Sequence, residues 1–107
     1  MIYVVDIDGT ICTKAQNFDY NKSQPLADRI NKINELYDEG NVIIYQTARG
    51  MGRFNNNPQL AIQEFYSLTK EQLEKWGCKY HLLFLGKPAG DVYIDDKGIK
   101  DDEFFKD

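Results

Sequence analysis

The stretch IYVVDIDGT, residues 2–10, decides how the rest of the chain is read. From Ile2 to Ile7 nearly every position is β-branched or aromatic, and apart from the acids both alternating faces are apolar. That pattern predicts a strand buried on both sides, the habit of a parallel sheet rather than of a half-wetted antiparallel one. The strand runs into Asp6 and Asp8, and side chains at alternate positions of a strand share a face. Two like charges so placed repel unless a cation or a proton stands between them. The rest of the chain must supply whatever offsets that cost.

Outward from this strand, residues 11–24 (ICTKAQNFDYNKSQ) have no period and are rich in Asn, Asp, Lys and Gln, which predicts a loop or flap. In PLADRINKINELYDEG, Leu26, Ile30, Ile33 and Leu36 or Tyr37 recur at helical spacing. Pro25 suits the first turn of that helix and Gly40 its C-terminal cap. NVIIYQT reads as a second strand and ARGMGRFNNNP as a loop. Two helices are expected next, QLAIQEFYSL and then TKEQLEKWG, with Thr69 and Gln72 as a capping box and Gly77 as the stop. KYHLLFLG holds a third strand, GKPAGD a turn, VYID a fourth short strand, and KGIKDDEFFKD a polar tail. Alternating strands and helices imply an α/β domain over residues 1–107. The expected form is a Rossmann-like three-layer sandwich around a mostly parallel sheet.

Composition narrows the function classes. With 107 residues there is one domain's worth of core, and a net charge of -4 argues against bulk electrostatic binding of nucleic acid. No apolar run could span a bilayer, and Asp6 and Asp8 interrupt the N-terminal one, so no membrane partner and a cytoplasmic location are expected. Cys12 and Cys78 are far apart and His81 is the one histidine, so a zinc site lacks ligands and both cysteines read as reduced thiols.

In open α/β sheets, ligands bind beyond the carboxyl ends of the strands. Those ends deliver Asp6 and Asp8, then Thr47 and Arg49, then Gly86, Lys87 and Pro88, then Asp95 and Asp96. Converging carboxylates call for a hard divalent ion, and Mg2+ takes a few carboxylates, waters and a substrate phosphate. A hydroxyl and an ammonium, Thr47 and Lys87, could hold the outer oxygens of that phosphate. One carboxylate could attack phosphorus and the other serve as general acid and base.

The ordered series DIDGT, Thr47 after an apolar strand, GKP with Lys87, and YIDD resembles the haloacid dehalogenase superfamily. The resemblance implies Asp6 as nucleophile and Asp8 as acid/base. It implies Thr47 and the Ala48 N–H as phosphate holders, and Lys87 as the cation that steadies both nucleophile and phosphate. Asp6, Asp8, Asp95 and Asp96 are the implied Mg2+ ligands. Asp8 stands where the ion-pumping branch has threonine and where dehalogenases lack a general acid, which points to a phosphatase or phosphomutase. The short gaps between strands leave no room for a cap domain and favour the phosphatase. TARG and GKPxxDxYIDD look most like small phosphatases of capsule and surface-polysaccharide biosynthesis, which act on phosphorylated sugars or polyols.

Other readings stay open. A nucleotide or nucleic-acid end phosphatase would also use an open site, although no nucleic-acid partner is expected from the charge. A receiver-like phospho-accepting module has a similar Asp, Thr and Lys inventory, but nothing acidic ends the second strand here. Arg49 serves equally as a contact for an anionic substrate or as a loop ion-pair partner. His81 reads as structural, and Phe65, Tyr66 and Trp76 as core. Phe104 and Phe105 either dock on the body or form a subunit contact. An open site is compatible with a homo-oligomer.

Overall fold

The structure, a computed structural model, describes residues 1–106; Asp107, the last residue of the acidic tail, lies outside the described residues. The elements are β1 (Ile2–Asp6), α1 (Ala27–Asp38), β2 (Val42–Thr47), α2 (Pro58–Lys75), β3 (Leu82–Leu85) and the single turn α3 (Asp101–Phe104). The three strands form one parallel sheet in the order β1-β2-β3, with Ile2 opposite Val42 and Ile44 opposite Leu82. The chain is therefore an α/β protein of Rossmann-like type. No helix among the described residues is long and apolar enough to cross a membrane.

The register sorts the strand residues into two faces. Val5, Ile43, Tyr45 and Leu85 are buried on one, where they meet Ile30 and Ile33 of α1 and Phe65 and Leu73 of α2. Tyr3 on the same face packs edge-on against Phe104 of α3. Phe104 and Phe105 thus dock on the body, with Arg29 and Lys32 of α1 over their rings. On the other face Ile2, Val4, Leu82 and Phe84 are all exposed. The expected three-layer arrangement is not what the described residues present. Strands laid down in sequence order by crossovers of one hand put every connecting helix on the same side of the sheet. A second layer requires the chain to return past β1, and it does not.

Two local expectations need correction. VYID, expected as a fourth strand, has no regular structure and pairs with no strand, and residues 88–100 are exposed throughout. The two helices expected between Pro58 and Lys75 are one helix, α2. Its N-cap is Asn57, whose side chain accepts from the N–H groups of Gln59 and Leu60. Thr69 and Gln72 are not a cap but lie buried on the inner face of α2, in a stripe with Ala61, Phe65 and Leu73. Tyr66, expected in the core, is exposed. The flap folds into two short 3-10 turns, Gln16–Phe18 and Tyr20–Lys22, anchored by buried Tyr20.

Candidate active site

β1 ends at Asp6 because the chain turns immediately. The Ile7 carbonyl accepts from the N–H groups of Thr10 and Ile11, and Gly9 stands at φ +79. A side chain at Gly9 would strain that backbone and press into the stem of Lys14. The turn swings Asp8 out of the strand's alternation and over the end of β2. There Asp8 Oδ2 accepts from the Thr47 hydroxyl at 3.4 Å, and Thr47 Oγ1 in turn accepts from the Arg49 N–H at 3.1 Å.

Asp6 keeps the strand's direction and meets Lys87 instead, with Nζ 3.6 Å from Oδ1. Lys87 is fixed because its backbone N–H donates to the Thr47 carbonyl, carrying the β2–β3 pairing one step further. Burial raises the Asp6 carboxyl above its ordinary value and the Asp8 charge adds to the rise, while Lys87 and the Ile7 backbone hold it back.

Arg49 is the residue whose role the sequence left undecided. Its side chain is fully buried, and it grips Asp8 with a fork: Nε to Oδ2 at 2.9 Å and Nη2 to Oδ1 at 3.0 Å. Nη1 donates to Thr69 Oγ1 and to Gln72 Oε1, and the guanidinium lies over the Tyr20 ring. Four of its five N–H donors are taken, two of them by the Asp8 carboxylate, so Arg49 serves first as the ion-pair partner of Asp8. Gln72 Nε2 donates to the Tyr20 carbonyl and the Tyr20 hydroxyl accepts from the Gly50 N–H, which ties the flap to the loop after β2. Sequence reasoning missed Thr69, Gln72 and Tyr20. Two polar residues at helical spacing with Phe65 and Leu73 were the available signal.

Asp6, Asp8, Thr47, Ala48 and Lys87 line one cleft of about 260 Å3, joined by Lys14 of the flap and by Tyr93. Tyr93 places its ring beneath the Lys87 ammonium, 4.4 Å away. The cleft thus has two carboxylates at its floor, a hydroxyl beside them and two ammonium groups at its walls. A larger open groove, about 650 Å3, lies by the start of α1, but its arginine, Arg29, is committed to Asp101 and Asp102. Cys12, buried beneath Asp8, is a free thiol pushed up to about 12 by burial and by that carboxylate, so it offers no nucleophile. Cys78 is free as well.

Asp95 and Asp96 are not brought to this cluster. The Asp95 carboxylate accepts from the backbone N–H groups of Gly98 and Lys97, which hold it below its ordinary value, and Asp96 pairs with Lys97. His81 accepts from the Ile43 N–H and stacks on Tyr37, a structural placement.

No family model and no curated protein matches the chain. Among solved structures it is similar to an MCSG target from Vibrio cholerae, known from a crystal structure, with a TM-score of 0.89 and 29% identity. The match covers 98% of this chain and 87% of that one. The likeness extends the Rossmann-like architecture to a second sequence and carries no activity with it.

Proposed function

We propose that the protein is a Mg2+-dependent phosphomonoesterase of the haloacid dehalogenase type. It would act on a small phosphorylated sugar or polyol, with Asp6 as nucleophile and Asp8 as general acid and base. The observation that carries this reading is the division of labour between the two acids. Asp6 faces the cleft against Lys87, while Asp8 is oriented from behind by Arg49 and from the side by Thr47.

The chain's own groups account for both halves of the reaction. An Asp6 oxygen bonds to phosphorus as the bond to the leaving oxygen breaks, and Asp8 gives that oxygen its proton. Water then attacks the acyl phosphate, returns a proton to Asp8 and frees Asp6. Lys87, Lys14 and the Ala48 N–H supply positive charge where the transferring group gathers negative charge. Arg49 fixes the direction in which Asp8 presents its oxygens, and the second donors on them, the Thr47 hydroxyl at 3.4 Å and the Cys12 thiol at 3.6 Å, are long contacts that a leaving oxygen or a water can replace.

The donors at the cleft fit a hard divalent ion. Mg2+ is commonly held by one or two carboxylates, with waters and a substrate phosphate filling the remaining positions. The half-buried Asp6, whose burial outweighs the help of Lys87, fits such an ion. So does the Asp8 main-chain carbonyl, which accepts no backbone hydrogen bond among the described residues. When bound, Mg2+ supplies charge neutralisation at the phosphoryl oxygens. A cleft of this size, with no cap over it, suits a small phosphate ester, and surface-polysaccharide precursors are one such class. The test is phosphate release from a panel of sugar, polyol and nucleotide phosphates, with Mg2+ and with EDTA. Release that needs the metal and disappears in Asp6→Asn supports the reading, and a folded protein that hydrolyses none of the panel removes it.

A further inference from the structure

We propose that two copies of this chain exchange strands. Residues 91–96 of each copy lie parallel to the outer edge of the other's β1. The partner subunit's Asp95 and Asp96 then reach the Asp6–Asp8 cluster.

Each half of this joint is bare in one copy. β1 is the sheet's edge, and residues 2–6 make no backbone hydrogen bond beyond the β1–β2 ladder among the described residues. Ile2 and Val4 beside that edge are 67% and 55% exposed. Residues 91–96 make no backbone–backbone hydrogen bond either, and Val92 and Ile94 are 76% and 93% exposed. An unpaired edge and a segment of unpaired backbone with exposed apolar side chains are the two components of strand addition. β1 is five residues long, and Val92–Asp96 matches it in length.

The chain cannot fill the slot itself. Lys87 sits at the carboxyl end of β3, held to Thr47 and Asp6. Phe84 is level with Asp6 through Gln46, so for Asp95 to lie level with Asp6, Val92 would have to sit three strand spacings across from Lys87, about 14 Å, and six residues back, about 20 Å. That is about 24 Å in a straight line through the sheet, beyond the roughly 17 Å reach of five extended residues. The segment is moreover bent: the Tyr93 hydroxyl donates to the Pro88 carbonyl and accepts from the Gly90 N–H. A second copy meets no such limit. Mutual exchange covers residues 88–100 and the β1 edge twice over, on the scale of the about 800 Å2 per partner that a stable interface buries. It closes as a two-fold dimer, because the same two surfaces meet on both sides.

The parallel direction also adds a strand on the side of β1 opposite β2, which makes the carboxyl end of β1 the point where strand order reverses. Ligands of doubly wound sheets bind at that point, and Asp6 and Asp8 stand there. This last consequence rests on the proposed function, whereas the interface itself does not.

Sedimentation and amide hydrogen exchange across a concentration series test the exchange without reference to activity. The wild type is expected to be dimeric, with exchange in residues 2–6 and 91–96 slowed at least about tenfold on dimerisation. Ile94→Asp with Val92→Asp is expected to be monomeric with unchanged circular dichroism, since both side chains are exposed in a single copy. A wild type monomeric at every concentration overturns the proposal. So does a dimer that survives the double substitution, or one whose residues 91–96 exchange at the dilute rate. A dimer that releases no phosphate removes the proposed function and leaves the strand exchange standing.

Discussion

Arg49 reaches from the loop after β2 to take both carboxylate oxygens of Asp8 at 2.9 and 3.0 Å, and no part of its side chain is exposed. Asp8 is itself 21% exposed, so the pair sits at the boundary of the interior rather than deep within it. Arg49→Lys keeps the charge but loses the planar fork, and leaves Thr69 and Gln72 short of a donor. The expected cost is about 2–3 kcal/mol, below the full penalty for breaking a buried pair because Asp8 is partly wet. Denaturant unfolding measures it, and a loss under about 0.5 kcal/mol would contradict the clamp.

Gly50 follows Arg49 at φ +80, and a Cβ there would stand 2.6 Å from the Phe65 ring. Gly50→Ala combines left-handed backbone strain with overpacking against a buried aromatic, so about 2–4 kcal/mol should be lost. Thermal unfolding reads this directly. Gly52→Ala, where nothing stands within 4 Å of the added carbon, is the matched control and should shift Tm little.

Lys87 is the cation nearest Asp6. Lys87→Met keeps the length and removes the charge. Phosphate release should fall by about 10²–10³-fold, the scale of losing one charge-stabilising donor. Circular dichroism should be unchanged, because the side chain is half-buried at the cleft wall. A variant with wild-type kcat would remove Lys87 from the account.

Burial lifts the Asp6 carboxyl above its ordinary value, so the folded protein holds that proton where the unfolded chain releases it. Stability from this group is therefore present at low pH and lost as pH rises from about 4 through the folded value. Asp6→Asn removes the loss. It should unfold at a higher temperature than the wild type at neutral pH, with the gap narrowing below about pH 4. A variant less stable at neutral pH would reverse the sign and show that the Lys87 pair outweighs burial.

The strand ends were legible because each carries two signals at once, an apolar run and the polar residue that stops it. Asp6, Asp8, Thr47 and Lys87 were brought together from that pattern alone. The α2 region was misread because Thr69 and Gln72 fit a capping box locally. Their side chains instead turn inward to a guanidinium from another part of the chain, and no local pattern reports that. The Val92–Asp95 run has the composition of a strand, yet a strand exists only against a partner edge, and one copy offers none within reach. The bare sheet face follows from topology, which residue periodicity does not encode.

In the proposed reaction Asp6 carries the phosphoryl group. Acid-quenched mass spectrometry of the enzyme mixed with a turning-over substrate reads this most directly, with peptide mapping to place the modification. The account expects a phosphorylated peptide at Asp6 that is short-lived in the wild type, accumulates in Asp8→Asn and is absent from Asp6→Asn. Turnover with no covalent phosphate in either the wild type or Asp8→Asn would contradict it, as would a phosphoryl group mapped to any other residue.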